Sequence, residues 1–119
     1  MNEARRTILI VDDEPQILRL VERMIGPHRA KVMLAPRPSE ALRICESEPV
    51  DILISDIQMP EMDGLKLVDR VLKIRPQTAV LLISGYYKDP PAAARSGRLK
   101  FLRKPFFPSE LIQMIEGML

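Results

Sequence analysis

At 119 residues the chain holds one domain's worth of sequence, enough to bury a single core without disulfide or metal staples and too little for a second domain. Hydrophobic residues make up 46% of it in short periodic segments, and no apolar run approaches the roughly 18 residues of a membrane span, so the composition is that of a soluble globular domain. The net charge of +2 does not mark a nucleic-acid binder, and with one cysteine, Cys45, and one histidine, His28, there is no internal disulfide, no thiolate cluster and little support for a His-based triad or zinc site. A metal bound here is expected to be a hard ion with oxygen ligands.

Met1 leads through Asn2 to Arg6 into an apolar run with no signal-peptide core, which points to the cytoplasm. The first strand is expected at Thr7 to Val11. After Pro15, which suits an early helical position, Ile17, Leu20, Val21, Met24 and Ile25 recur at helical spacing until Gly26-Pro27 stops them. Beside Gly26-Pro27, His28 reads as a loop residue. Lys31 to Ala35 is a weaker strand placed toward an edge, and Pro36 and Pro38 bracket the start of a helix reaching about Ser47, on which Cys45 reads as a small buried apolar residue. Val50 to Ser55 is almost continuously apolar after Asp51, the pattern of a central strand buried on both faces.

A third helix is expected from about Leu65 to Arg75, ending at Pro76, and a fourth strand from Ala79 to Ile83. Pro90-Pro91 opens a short helix that Gly97 closes, the fifth strand falls near Leu99 to Arg103, and a last helix from Pro108 carries Leu111, Met114, Ile115, Met118 and Leu119 on one face. Strands thus alternate with helices from end to end, five of each, and right-handed crossovers place helices on both faces of a parallel α/β sheet.

The strands end on reactive groups. Ile8 to Val11 runs into Asp12-Asp13, Ile52 to Ser55 into Asp56, Ala79 to Ile83 into Ser84, and Phe101 to Arg103 into Lys104. Ligands of such sheets bind outside the carboxyl ends of the strands, so three carboxylates, a hydroxyl and an ammonium are expected to converge there. Crowded carboxylates raise one another's pKa unless a cation offsets them, and Mg2+ suits that role. With the charge offset, Asp56 can serve as a nucleophile toward phosphorus, giving an acyl phosphate, while Lys104 pairs with the phosphoryl group and the Ser84 hydroxyl bonds another of its oxygens. A cis peptide is more plausible at Lys104-Pro105 than at a bond that does not precede proline. Singly, each feature has a plain explanation: Asp12-Asp13-Glu14-Pro15 as a helix cap, Asp56 as turn chemistry, Ser84-Gly85 as a loop. Together, at the ends of strands one, three, four and five, they read as one site.

With these residues in place, the chain resembles the receiver domain of two-component response regulators over essentially its whole length. The resemblance rests on Ile8 to Pro15, on Asp56-Ile57-Gln58-Met59-Pro60-Glu61-Met62-Asp63-Gly64, on Ile83-Ser84-Gly85, and on Phe101 to Phe106. It implies the fold of the chemotaxis regulator, a doubly wound, flavodoxin-like (βα)5 sheet with strand order 2-1-3-4-5, and a single receiver domain over residues 1–119. It also implies phosphorylation of Asp56 from a phosphohistidine on a sensor kinase or phosphotransfer protein. Asp13, Asp56 and the backbone carbonyl of Gln58 would ligate Mg2+, with Asp12 acting mainly through water. Ser84 would be drawn to the phosphoryl group with Phe101 turning inward behind it, a switch of partner binding and not a metabolic enzyme.

Three departures accompany the resemblance: a shortened interval from Ser84 to Lys104, Phe107 where relatives carry a Ser-type cap, and Tyr86 at the rim of the site, where its bulk is expected to slow loss of the phosphoryl group. The basic residues Lys88, Arg95, Arg98, Lys100, Arg103 and Lys104, opposed only by Asp89 and flanked by Phe107 and Ile112 as exposed apolar groups, suggest an output face for an acidic partner, without direct nucleic-acid or membrane binding. One rival reading is a receiver belonging to a larger DNA-binding regulator or hybrid kinase. Another is an Asp-nucleophile phosphatase, which usually has a second Asp two positions after the first, where this chain has Gln58. A nucleotide-binding module would need a Gly-rich turn after the first strand, which here reads Asp-Asp-Glu-Pro.

Overall fold

The computed structural model describes residues 6–26, 30–85 and 99–118. In chain order the elements are β1 (Thr7–Val11), α1 (Pro15–Ile25), β2 (Lys31–Ala35), α2 (Pro38–Ser47), β3 (Ile52–Asp56), α3 (Gly64–Ile74), β4 (Ala79–Ser84), β5 (Leu99–Arg103) and α4 (Pro108–Met118). All strand pairs are parallel and the order is β2-β1-β3-β4-β5, as the doubly wound reading requires, with β2 at an edge and β3 in the centre. Four helices stand among the described residues. The short helix expected between Pro90 and Gly97 lies outside them, as do His28, Tyr86, Lys88, Arg95 and Arg98.

Alternate strand residues feed two separate cores, the expected result of a period of two in a sheet covered on both sides. Leu9 and Val11, Leu53, and Val80 and Leu82 pack with Ala41, Cys45, Leu67 and Val71 of α2 and α3. Ile8 and Ile10, Ile52 and Ile54, and Leu81 and Ile83 pack with Leu18, Val21, Ile25, Leu111 and Ile115 of α1 and α4. Cys45 is fully buried in the first core, and burial pushes its thiol up to about 11.

Boundaries differ from expectation where backbone bonding decides them. β3 runs from Ile52 to Asp56 instead of Val50 to Ser55: the Asp51 carboxylate accepts the Thr7 amide at 2.7 Å, which marks the edge of the ladder, and Asp56 pairs with Ile83 at its far end. α3 begins one residue earlier than Leu65, because the Asp63 carboxylate caps the Lys66 amide at 2.9 Å, and it ends at Ile74 with Arg75 as its cap. β4 extends to Ser84 because Ser84 pairs with Arg103. At the end of α1, Gly26 adopts φ 77, a left-handed conformation that a side chain would disfavour.

Candidate functional site

β1, β3, β4 and β5 deliver Asp12, Asp56, Ser84 and Lys104 to one end of the sheet. The Lys104 Nζ lies 3.1 Å from the Asp56 Oδ2, an ion pair whose side chains are only 32% and 12% exposed. The other oxygen, Oδ1, accepts the Gln58 amide at 3.0 Å, so the carboxylate is held from both sides. Lys104 is itself placed by its amide, which donates to the Ser84 carbonyl at 3.1 Å; the peptide bond to Pro105 is cis. Ser84 is fully buried, and Phe101 is half-buried against the core under α2 and α3, on the β5 position paired with Leu82.

Asp12 and Asp13 take different roles. Asp12 is 3% exposed, its Oδ1 accepts the Glu14 amide at 2.9 Å, and its amide donates to the Ala35 carbonyl at 3.2 Å. Burial raises its carboxyl from 3.8 to about 6; the Glu14 amide opposes this, Asp56 and Asp13 add to it, and Lys104 counters them. Asp13 is exposed. The plain helix-cap reading of the Asp pair does not hold, since the cap position of α1 is Glu14, without a side-chain cap bond. Asp12 instead closes a turn through the Glu14 amide just before α1.

Among the described residues no three His, Cys, Asp or Glu side chains stand as a ready-made metal cage. The donor chemistry nevertheless fits Mg2+, which needs only one or two carboxylates, a carbonyl and waters, and which would offset the charge of Asp12, whose carboxyl is raised chiefly by burial and to a lesser degree by Asp56 and Asp13. Asp12, Asp13, Asp56 and the carbonyl of Gln58, an exposed residue, are the groups that would hold it.

The loop from β3 to α3 is built around Gly64. Its amide donates to the Ile57 carbonyl at 2.6 Å, and a Cβ there would sit 2.8 Å from the Ile57 Cα and closer still to the Asp56 carbonyl oxygen. Gly64 therefore lets α3 start directly against the backbone of Asp56. A cavity of about 260 Å³ adjoins the site, bounded by Ile17, Leu20 and Met24 of α1 and by Pro105 and Phe106, with Asp12, Asp56 and Lys104 as its polar lining.

Three contacts were not visible to sequence reasoning. Glu61 accepts the Ser39 amide at 2.8 Å and the Ser39 hydroxyl at 3.3 Å. Glu110 supplies the other half of a capping box at Phe107: its Oε1 takes the Phe107 amide at 2.8 Å, while the Glu110 amide, which a Ser-type cap would have taken, bonds the Phe107 carbonyl at 3.0 Å. A Glu three residues into a helix was the available signal for that contact. The third is the close approach at Gly64. On the β5 side, Phe107 is 74% exposed as expected, but Ile112 is half-buried and not exposed.

A model of the response regulator receiver domain matches residues 8–116. The chain is 38% identical over 117 residues to an uncharacterised 14.6 kDa protein from the sodA1 3′ region of Leptolyngbya boryana, covering 95% of this chain and 89% of that one. It is 35% identical over 114 residues to the transcriptional regulatory protein GlrR of Escherichia coli strain K12, covering 94% of this chain but 26% of that regulator. In structure it is similar to the signal receiver domain of an HD domain-containing protein from Pseudomonas fluorescens Pf-5, with a TM-score of 0.85 at 29% identity over 100% of this chain and 90% of that one.

Proposed function

The chain belongs to the response regulator receiver domain family, and from that premise we propose that residues 1–119 form one phosphoacceptor domain that takes its phosphoryl group on Asp56 from a phosphohistidine of a sensor kinase or phosphotransfer protein. The observation that carries this reading is the Lys104–Asp56 pair at 3.1 Å, beside the buried Asp12. An Asp56 carboxylate oxygen attacks phosphorus as the phosphorus–nitrogen bond breaks, and the electron pair returns to the imidazole, which is protonated from solvent. The product is an acyl phosphate. Lys104, already beside the carboxylate, passes to a phosphoryl oxygen, and the Ser84 hydroxyl turns to another, with Phe101 following inward. Bound Mg2+ would offset the charge of the carboxylates and of the arriving oxygens. Water attack on phosphorus later returns the free Asp56 and releases phosphate, so the chemistry is self-limited and not that of a metabolic enzyme.

The test is incubation with acetyl phosphate and Mg2+ followed by intact mass. One phosphoryl addition is expected, absent in Asp56→Asn and absent in excess chelator; a full-sized addition in either overturns the assignment. A phosphatase reading gains no support from Gln58, whose side chain is a carboxamide where such an enzyme has a second carboxylate, and whose backbone amide donates to Asp56.

A second reading is favoured by the match to about a quarter of GlrR, in which this sequence corresponds to one module of a larger regulator. No described helix is long and apolar enough to cross a membrane, and we place the domain in the cytoplasm with its kinase. Its output face is proposed around β5 and α4, where Lys100 and Arg103 are exposed beside Phe107 and a cavity of about 370 Å³ opens between Lys100, Leu102, Glu110 and Met114. An acidic partner suits that face; Lys100→Glu with Arg103→Glu should weaken it and flatten its salt dependence.

A further inference from the structure

The loop that follows the nucleophile is pinned at both ends by local bonds. At its start, the Ile57 amide donates to the Ile83 carbonyl at 3.2 Å and the Gln58 amide to Asp56; at its end, Asp63 caps α3 and the Gly64 amide returns to Ile57. Between these anchors Met59 is buried in the core under α2 and α3 and Met62 packs against it, while Gln58, Pro60 and Glu61 are exposed. The exposed, polar side of the loop is held by Glu61, which reaches across to the start of helix α2. Helix α2 has Arg37 at its cap position with no side-chain acceptor of its own, and the Glu61 carboxylate supplies one from 22 residues away, taking both the amide and the hydroxyl of Ser39. A carboxylate at a helix start is favoured by the free amides and by the helix dipole, so the contact suits both partners.

We infer that Glu61 is a positioning residue for the Gln58 carbonyl: by tying the loop to the start of α2, it holds that oxygen oriented for the divalent ion. The inference rests on the reading of Asp56 and Gln58 as Mg2+ ligands. Without Glu61 the loop keeps its ends and its methionine anchors but loses its polar tie to α2, and part of the cost of ordering it moves to the moment of metal binding.

Because the chain has no tryptophan, Mg2+ binding is best followed through backbone amide chemical shifts, alongside hydrogen exchange of the Gln58 amide in metal-free protein and the unfolding temperature. Glu61→Ala is expected to weaken Mg2+ binding roughly fivefold and to speed Gln58 exchange by a similar factor, in line with loss of a capping contact. Glu61→Gln keeps an oxygen for the Ser39 amide and should stay within about twofold of the unsubstituted protein. Unchanged Mg2+ affinity and unchanged Gln58 exchange in Glu61→Ala, whatever the unfolding temperature does, overturn the inference and leave the Mg2+ reading intact. Equal losses in the Gln and Ala variants also overturn it, since they would trace the effect to charge near the ion and not to the tether. A parent protein whose amides do not respond to Mg2+ overturns the reading of the ligands and this inference together.

Discussion

Replacing Asp12 by Asn is expected to stabilise the metal-free protein. The Asp12 carboxyl, 3% exposed, moves from an ordinary 3.8 to about 6 on folding. The folded protein therefore holds this proton more tightly than the unfolded chain. Below the unfolded value both states are protonated and the group contributes nothing. As pH rises from there to about 6, the unfolded chain ionises first and stability falls; above that the full penalty applies. The difference of about two pKa units corresponds to roughly 3 kcal/mol at neutral pH. Asn keeps an Oδ1 for the Glu14 amide, so the turn is preserved while the buried charge disappears. We expect Asp12→Asn to gain on the order of 2–3 kcal/mol in chelator at pH 7.5, a rise of roughly 6–15 °C in Tm for a domain of this size. The gain should shrink to about half a kcal/mol by pH 4. Urea unfolding of both proteins at the two pH values, with Mg2+ absent, measures this directly. A variant no more stable than its parent at pH 7.5, or one whose advantage persists at pH 4, would refute the reasoning. Adding Mg2+ should narrow the gap, since the ion binds more tightly to, and so stabilises more, the protein that keeps the Asp12 carboxylate.

Gly64→Ala forces a Cβ into the Asp56 and Ile57 backbone and should cost at least about 2 kcal/mol by chemical denaturation while slowing phosphorylation; a neutral substitution would mean that α3 can simply slide away. Glu110→Ala removes the acceptor of the Phe107 amide and should cost about 1 kcal/mol, with Glu110→Gln recovering most of it. Cys45, whose thiol is pushed from 9.0 to about 11, should react with a thiol reagent at pH 8 at least about a hundredfold more slowly in the folded protein than in urea, and a comparable rate in both would show that its core opens readily. Phe101→Tyr should preserve phosphorylation-dependent binding of an output partner, whereas Phe101→Ala should weaken it; full coupling in the Ala variant would make Phe101 plain core filling.

The parallel sheet could be read in advance because its strands are short apolar runs whose chemistry lies in the next residue: Val11 then Asp12, Ser55 then Asp56, Arg103 then Lys104. Helix α1 was legible for the same reason, its apolar side chains repeating at helical spacing. The Asp12–Asp13 pair was legible as chemistry but not as geometry, because adjacency in sequence says nothing of which carboxylate turns into the sheet; the Glu14 amide decides that. Glu61 and Ser39 carry no periodic signal at all, being exposed polar residues on different segments. The start of β3 was misplaced because Val50 is buried without being in the ladder, and burial is what an apolar pattern reports.

The division of side chains between the two faces of the sheet makes it a partition wall. Leu9 and Leu53 answer to α2 and α3, while their neighbours Ile8, Ile10, Ile52 and Ile54 answer to α1 and α4. A methylene lost on one side leaves the other compartment's packing untouched, so substitutions across the wall should combine close to additively although their backbones are adjacent. Mutations within one compartment share neighbours and should not. The molecule therefore offers two independent dials for stability: one behind the helix that opens beside the cavity at Leu20 and Met24, and one behind α2 and α3, where Ser39 of the first meets Glu61 of the loop leading into the second.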